Sequence, residues 1–316
     1  MHVPANSPTS VSNTALAWGG GDLTHTNSGN AASGSDTNVP VAQTPASISA
    51  SGGSGQSTPV NTAFASPLQA TVLDAGSQPI PGVTVTFTAP GSGASGTFPG
   101  SLLTVTETTN NSGVASSPTF TANSTYGNYT VVASVSGLTP TASFSLTNNP
   151  VPAVISYSVV FGTQTYNLVG AASRTDLPWK VTGISVTFSE AITAASTNSL
   201  SGVTATGLSG LGTATLTWTI SPLTNGAFST SLLASGANGI QDAHGTYLGN
   251  GTAFSKSFSV LYGDYNADGV VSAADMVLVN AQIGQHNNIF ADLNGDGVVN
   301  SLDVAVARSQ IGATLE

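Results

Sequence analysis

Through the middle of the chain, apolar and hydroxyl side chains take turns in short stretches. Leu68, Ala70 and Val72; Val83, Val85 and Phe87; Tyr129, Val131, Ala133 and Val135; and Ala142, Phe144 and Leu146 each occupy every second position, with Thr, Ser, Gln or Val between them. Successive side chains of a strand point to opposite faces, so a period of two predicts strands with one face in a core and the other in water. Gly, Pro and Asn interrupt these strands at regular intervals, as antiparallel sheets joined by tight turns require. Residues 45–149 are therefore expected to form an antiparallel β-sandwich. Ile184, Val186 and Phe188, then Leu216, Trp218 and Ile220, then Phe254 and Phe258 repeat the pattern and predict a second sandwich over residues 150–260. Trp218 is expected in its core; Trp179, beside Pro178 and Lys180, is a better candidate than Trp218 for an exposed contact, but ordinary edge packing is the expected role.

The alternation is absent at both ends. Residues 1–44 are rich in Ser, Asn, Thr and Gly, with Leu16, Trp18 and Leu23 as the largest apolar anchors. That composition reads as a linker. The alternative is that Thr14 to Trp18 forms a donor strand completing a neighbouring domain or subunit.

In residues 261–316 a twelve-residue acidic loop occurs twice, from Asp264 to Asp275 and from Asp292 to Asp303, 28 residues on. The match runs past the loops into Gln282-Ile283-Gly284 and Gln310-Ile311-Gly312, which marks an internal duplication. Helices are expected over Met276 to Ile283 and Val304 to Ile311, each closed by its glycine. No helix is expected ahead of either loop. Phe258 to Gly263 reads as strand and turn, and His286 to Phe290 as linker.

The loops carry the clearest chemistry in the chain. Calcium takes six to eight oxygens, and a twelve-residue loop supplies them from positions 1, 3, 5, 7, 9 and 12 around a turn at position 6. The first loop offers the side chains of Asp264, Asn266, Asp268 and Asp275, the carbonyl of Val270, and Ser272 or a water it holds. The second offers Asp292, Asn294, Asp296, Val298, Asn300 and Asp303 in the same order. Gly269 and Gly297 make the turns, because glycine takes positive φ without steric cost. Position 12 is Asp rather than the longer Glu in both loops.

A calcium loop followed by a helix, twice, with no entering helix, resembles a dockerin domain over residues 261–316. The resemblance implies two calcium ions, a pseudo-twofold pair of loop-helix units, and docking onto a cohesin module of another protein. It also implies that the partner is read by Ala273, Ala274, Asn280 and Ala281 in the first copy and by Ser301, Leu302, Arg308 and Ser309 in the second. The run from Thr71 to Phe87, with Asn110 to Ala115 and Tyr126 to Val131, resembles bacterial Ig-like domains of the invasin and intimin type. More loosely, Val186 to Ile192 with Gly239 to Gly245 resembles Ig-like domains that precede dockerins. The expected fold is mostly β, two tandem Ig-like sandwiches followed by a small α-helical dockerin-like domain.

Composition narrows the function classes. The chain has 4 basic residues against 14 acidic ones, which excludes nucleic-acid binding by clustered Lys and Arg. Six of the acids are the Asp residues of the loops, so two Ca2+ would bring the formal charge from −10 to −6. No cysteine is present, hence no disulfide, thiolate or thiol nucleophile. Charged residues make up only 6% of the chain, and a Ser, Thr, Asn and Gly surface suits an extracellular bacterial protein. No apolar run approaches the roughly 20 residues of a membrane span. The opening residues lack a signal-peptide pattern, so an exported protein is expected to be represented here in mature or truncated form.

An enzyme is not expected. His2, His25, His244 and His286 share no metal-ligand spacing, and Gly91 to Gly93 and Gly207 to Gly210 are chance echoes of a nucleophile motif in a Ser/Gly-rich chain. Glu190 and Asp242 are the one carboxylate pair weighed for glycoside hydrolysis, and their strand and turn contexts argue against it. Two readings stand. The chain is a spacer and docking portion of an extracellular modular protein, or it is a subunit of a self-assembling filament or surface layer stabilised by calcium and strand complementation. Metal removal is expected to unfold residues 261–316 and to leave the sandwiches unaffected.

Overall fold

The computed structural model describes residues 11–17, 32–39, 43–170, 173–285 and 288–315. They fall into two compact units, Met1–Asn149 and Pro150–Glu316. No helix among the described residues is long and apolar enough to cross a membrane.

In the first unit, Val11–Ala17 pairs antiparallel with Ala32–Val39. Leu16 lies in this hairpin, whereas Trp18 and Leu23 lie outside the described residues, as do His2, His25 and His286. The sandwich of this unit has one sheet of Pro45–Gly52, Gln69–Asp74 and Val114–Ser116. The other runs in the order Gln56–Pro59, Ala142–Asn149, Gly127–Val135, Thr84–Thr88 and Thr104–Thr108. Period-two patterning sets its core. Ala142, Phe144 and Leu146 are buried while Ser143 and Ser145 between them are exposed. Phe98 and Phe120, with centroids 4.8 Å apart, fill the layer between the sheets. Asp74 shapes a turn, its Oδ1 accepting from the amides of Gly76 and Gln78.

The second unit is also a sandwich. Gln164–Asn167, Val154–Phe161, Val181–Ala194, Thr213–Leu223 and Ala205–Ser209 form one sheet in that order, with Gln241–Asp242 added beside Val181–Ala194. Asp176–Leu177, Phe254–Leu261, Asn225–Leu232 and Leu200–Ser201 form the other. Trp218 is fully buried between them, and its Nε1 donates to the carbonyl of Ser196 at 3.0 Å, which satisfies the indole in an apolar setting.

Two helices follow, α1 (Ala273–Asn280) and α2 (Ser301–Ser309). Each starts with a capping box: the Ser272 and Asn300 side chains accept from the first turn, and Asp275 and Asp303 reach back to the cap amides. Both carboxylates thus sit at helix N-termini, where the unsatisfied amides favour negative charge.

The loop-helix segment lies within the second unit and shares its core. Trp179, for which edge packing was expected ahead of an exposed contact, is fully buried, stacked on Phe161 at 4.0 Å and 10° and on Phe290 at 5.1 Å and 14°. Its Nε1 donates to the carbonyl of Ile289. Ile289 and Phe290, read from sequence as linker, are the anchors that pack against the sandwich. The reason is physical: an indole beside a strand end is exposed only if nothing arrives to cover it, and here the segment joining the two loops does.

Candidate metal centre

The twelve-residue pattern closes into the same hydrogen-bonded cage twice. In the first loop Asp264 accepts through Oδ1 from the Asp268 amide and through Oδ2 from the Gly269 amide. Asn266 Oδ1 accepts from Asp268, and Asp268 Oδ1 from Val270. Asp275 reaches back from the first turn of α1, taking the amides of Asn266 and Ser272. In the second loop Asp292 holds the amides of Asp296 and Gly297, Asn294 holds Asp296, and Asp296 holds Val298. Asp303 holds Asn294 and Asn300. The side chains at positions 1, 3, 5 and 12 of each copy are therefore brought together, and the position-9 residues, Ser272 and Asn300, cap the helices that follow.

Electrostatics explains why such a cage calls for a cation. Asp264, Asp275, Asp292 and Asp303 are all buried, at 0–4% exposure. Burial pushes the Asp264 carboxyl above its usual range; the Gly269 amide opposes this and the nearby charge of Asp275 adds to it. Burial likewise raises Asp292, against the amide of Gly297 and with the charge of Asp303. Carboxylates collected out of water repel one another unless positive charge lies among them. The donors are all oxygens, with no sulfur or imidazole in either loop, which fits a hard cation such as calcium.

The two copies brace each other. The amide of Gly284, at the end of the first repeat, donates to the carbonyl of Val299 in the second loop, and that of Gly312 donates to Val271 in the first. Val271 in turn donates to Ala313, and Leu315 donates to Gly269, so the chain's last described residues close over the first loop. Val279, Leu293 and Ala307 form the small core between the helices.

The sandwich grips both loops by their backbones. Arg174 donates through Nη2 to the Asp264 carbonyl at 2.9 Å and through Nη1 to the Tyr265 carbonyl at 2.7 Å, while its guanidinium lies 4.8 Å from the centre of the Phe290 ring. Thr163 donates to the Gly295 carbonyl through both its amide and its hydroxyl. These residues were not singled out by the sequence pattern. A lone Arg and a Thr on a hairpin carry no periodic signal, and their roles arise only when distant segments meet. The fourth loop position was also missed. It takes a left-handed backbone in both copies, Ala267 at φ 60° and Gly295 at φ 71°. A Cβ on Gly295 would stand 2.4 Å from the Phe161 carbonyl oxygen, so only glycine fits where the sandwich presses on the loop.

Glu190 and Asp242, set aside from sequence, do come together, with His244 beside them. Asp242 is almost wholly buried, and its Oδ1 is held by the amides of His244 and Thr246.

Residues 262–311 match the family model of the dockerin type I domain, and the chain carries that domain at its C-terminal end. Dockerin type I domains bind calcium, and dockerin domains bind cohesins. No curated protein matches the chain. Among solved structures it is similar to the C-terminal 282-residue fragment of intimin in complex with the intimin-binding domain of the translocated intimin receptor. Identity there is 14%, covering 69% of this chain and 64% of that one, with a TM-score of 0.37. Invasin, a bacterial integrin-binding protein, is 17% identical, with 70% of this chain and 39% of that one covered and a TM-score of 0.28. Domains 4–9 of the surface layer protein SbsC are 12% identical, with 73% and 33% covered and a TM-score of 0.26. The chain spans less than two thirds of the length of each. At these scores the fold rests on the sheets described above: the protein is mostly β, and among the described residues the two α-helices lie in the dockerin segment.

Proposed function

We propose that the chain is a non-catalytic part of an extracellular bacterial modular protein, in which Ig-like domains over residues 45–149 and 150–260 space and orient a dockerin module over 261–316. Two Ca2+ ions, one per loop, complete the module. The ligands are Asp264, Asn266, Asp268, the Val270 carbonyl, Ser272 and Asp275 in one loop, and Asp292, Asn294, Asp296, the Val298 carbonyl, Asn300 and Asp303 in the other. The partner is a cohesin-type domain of another protein.

The observation that carries this reading is the duplicated cage within a segment that matches the dockerin model. It is supported by what the helices leave uncovered. Val277 is 61% exposed and Leu302 58%, and Ala273, Ala274 and Arg308 are exposed alongside them. Apolar side chains in water on a calcium-dependent helix pair are what a docking face needs.

Calorimetry of the purified chain against a panel of cohesin domains, with calcium and with chelator, tests the proposal. Saturable 1:1 binding that disappears with chelator is expected. Ordered fibres on adding calcium, without binding to any cohesin, would instead select self-assembly.

A further inference from the structure

On Val181–Ala194 the side chains of Val186, Phe188 and Ile192 alternate into the core of the second sandwich. The same alternation carries Glu190 to that side. A carboxylate thus stands where the pattern calls for an apolar residue. The strand register shifts here, between Thr187 and Ile192, and Ile192 then pairs with Asp242. The side chain of Asp242 is 1% exposed, and its Oδ2 lies 3.2 Å from Nδ1 of His244. Glu190 Oε1 is sealed from solvent and has no hydrogen-bond donor. The groups beside Glu190 are the Asp242 carboxylate, another acceptor, and the His244 ring, each with a ligand atom within 4.8 Å.

Two carboxylates pointed at one another, Asp242 buried and Glu190 half-buried, need positive charge between them, and an acceptor without a donor identifies where it is missing. One ligand atom from each of Glu190, Asp242 and His244 lies within 4.8 Å of the others. Donors around a tetrahedral Zn2+ stand about 3.3 Å apart, a difference small side-chain rotations cover. His244 is half-exposed, which leaves an approach for the ion and a place for water as a further ligand. Two carboxylate oxygens and an imidazole nitrogen form a borderline donor set, unlike the all-oxygen loops, and favour a first-row transition ion over calcium.

We propose that Glu190, Asp242 and His244 form a third cation site, for a divalent transition metal of the Zn2+ class, independent of the calcium loops. The ion staples the turn from Asp242 to Thr246 onto the end of Val181–Ala194. Thr193 already ties the two by donating to the Asp242 carbonyl at 2.7 Å. This assignment does not rest on the docking reading.

The test is a Zn2+ titration of the full chain, saturated with calcium beforehand, by calorimetry, alongside Glu190→Gln and His244→Ala. The first variant keeps the shape of the side chain, and the second alters a half-exposed position, so both are expected to fold. Wild type should take up one equivalent more than either variant, or bind it at least tenfold more tightly, and Zn2+ should raise the melting temperature of wild type alone. Uptake by the remaining histidines persists in both variants. Equal uptake and equal melting in all three proteins would overturn the proposal and leave a shared proton as the group that balances the carboxylates.

Discussion

The indole of Trp179 and the ring of Phe290 lie face to face, 14° from parallel. The first belongs to the sandwich and the second to the segment between the two loops, and with Phe161 they form one aromatic column. The sandwich of the second unit should therefore respond to the state of the loops, where the sequence alone led to an expectation of indifference.

Calcium removal should destabilise the whole second unit and spare the first. An ion at 100 times its dissociation constant contributes about 2.7 kcal/mol. For two ions, the melting temperature of a domain this size should fall by on the order of 10 °C on chelation. Scanning calorimetry with and without chelator should show one transition moving and the other fixed. Asp264→Ala and Asp292→Ala should each reproduce part of that shift.

Phe290→Ala should uncouple the loop segment from the sandwich. The ring touches Trp179 and Tyr166 and lies under Arg174, so its loss should cost about 2–4 kcal/mol. The second unit should then melt in two steps, with Trp179 emission shifting in the earlier one. A single unchanged transition would show that the column does not join the two parts.

The fourth loop position should respond asymmetrically. Gly295→Ala meets both a left-handed backbone and the Phe161 carbonyl, and should cost at least about 2 kcal/mol. Ala267→Gly relieves a left-handed backbone at an exposed position, and should be stabilising by less than about 1 kcal/mol. Thermal melts in saturating calcium distinguish the two.

Acidity should act in opposite directions with and without metal. Burial raises Asp264 and Asp292 in the metal-free fold, so the folded state holds protons that the unfolded chain has released. The stability this contributes is complete below the unfolded value near 3.8 and is lost as pH rises through the raised folded values. Chelated protein should therefore melt at lower temperature as pH climbs out of the acid range. With calcium present, protons compete for the same oxygens, and melting temperature should rise over that interval. Parallel slopes in the two conditions would contradict the cage.

Much of this was legible along the chain because it depends on local periods. Alternation at Ala142, Phe144 and Leu146 and at Ile184, Val186 and Phe188 identified buried faces, and the spacing of Asp264, Asn266, Asp268 and Asp275 identified a cage. The packing partners of Trp179 were not legible, because its environment is made by Phe161 and Phe290, residues far from it in sequence. Glu190 lay in plain view at an inward strand position, but the position of Asp242 depends on a register shift that no short-range pattern encodes.

The carbonyl of Asp264 is held by Arg174 and that of Gly295 by Thr163, so each calcium loop is fastened to the sandwich at its own point. Two fastenings stop rotation where one would permit it. The exposed helices are thus aimed like a fitting bolted to a bracket rather than hung from a cord, and the proposed partner, seated on them, would take its bearing from the β-domain beneath. With calcium bound as proposed, loss of the ions would cost the module its direction as well as its shape.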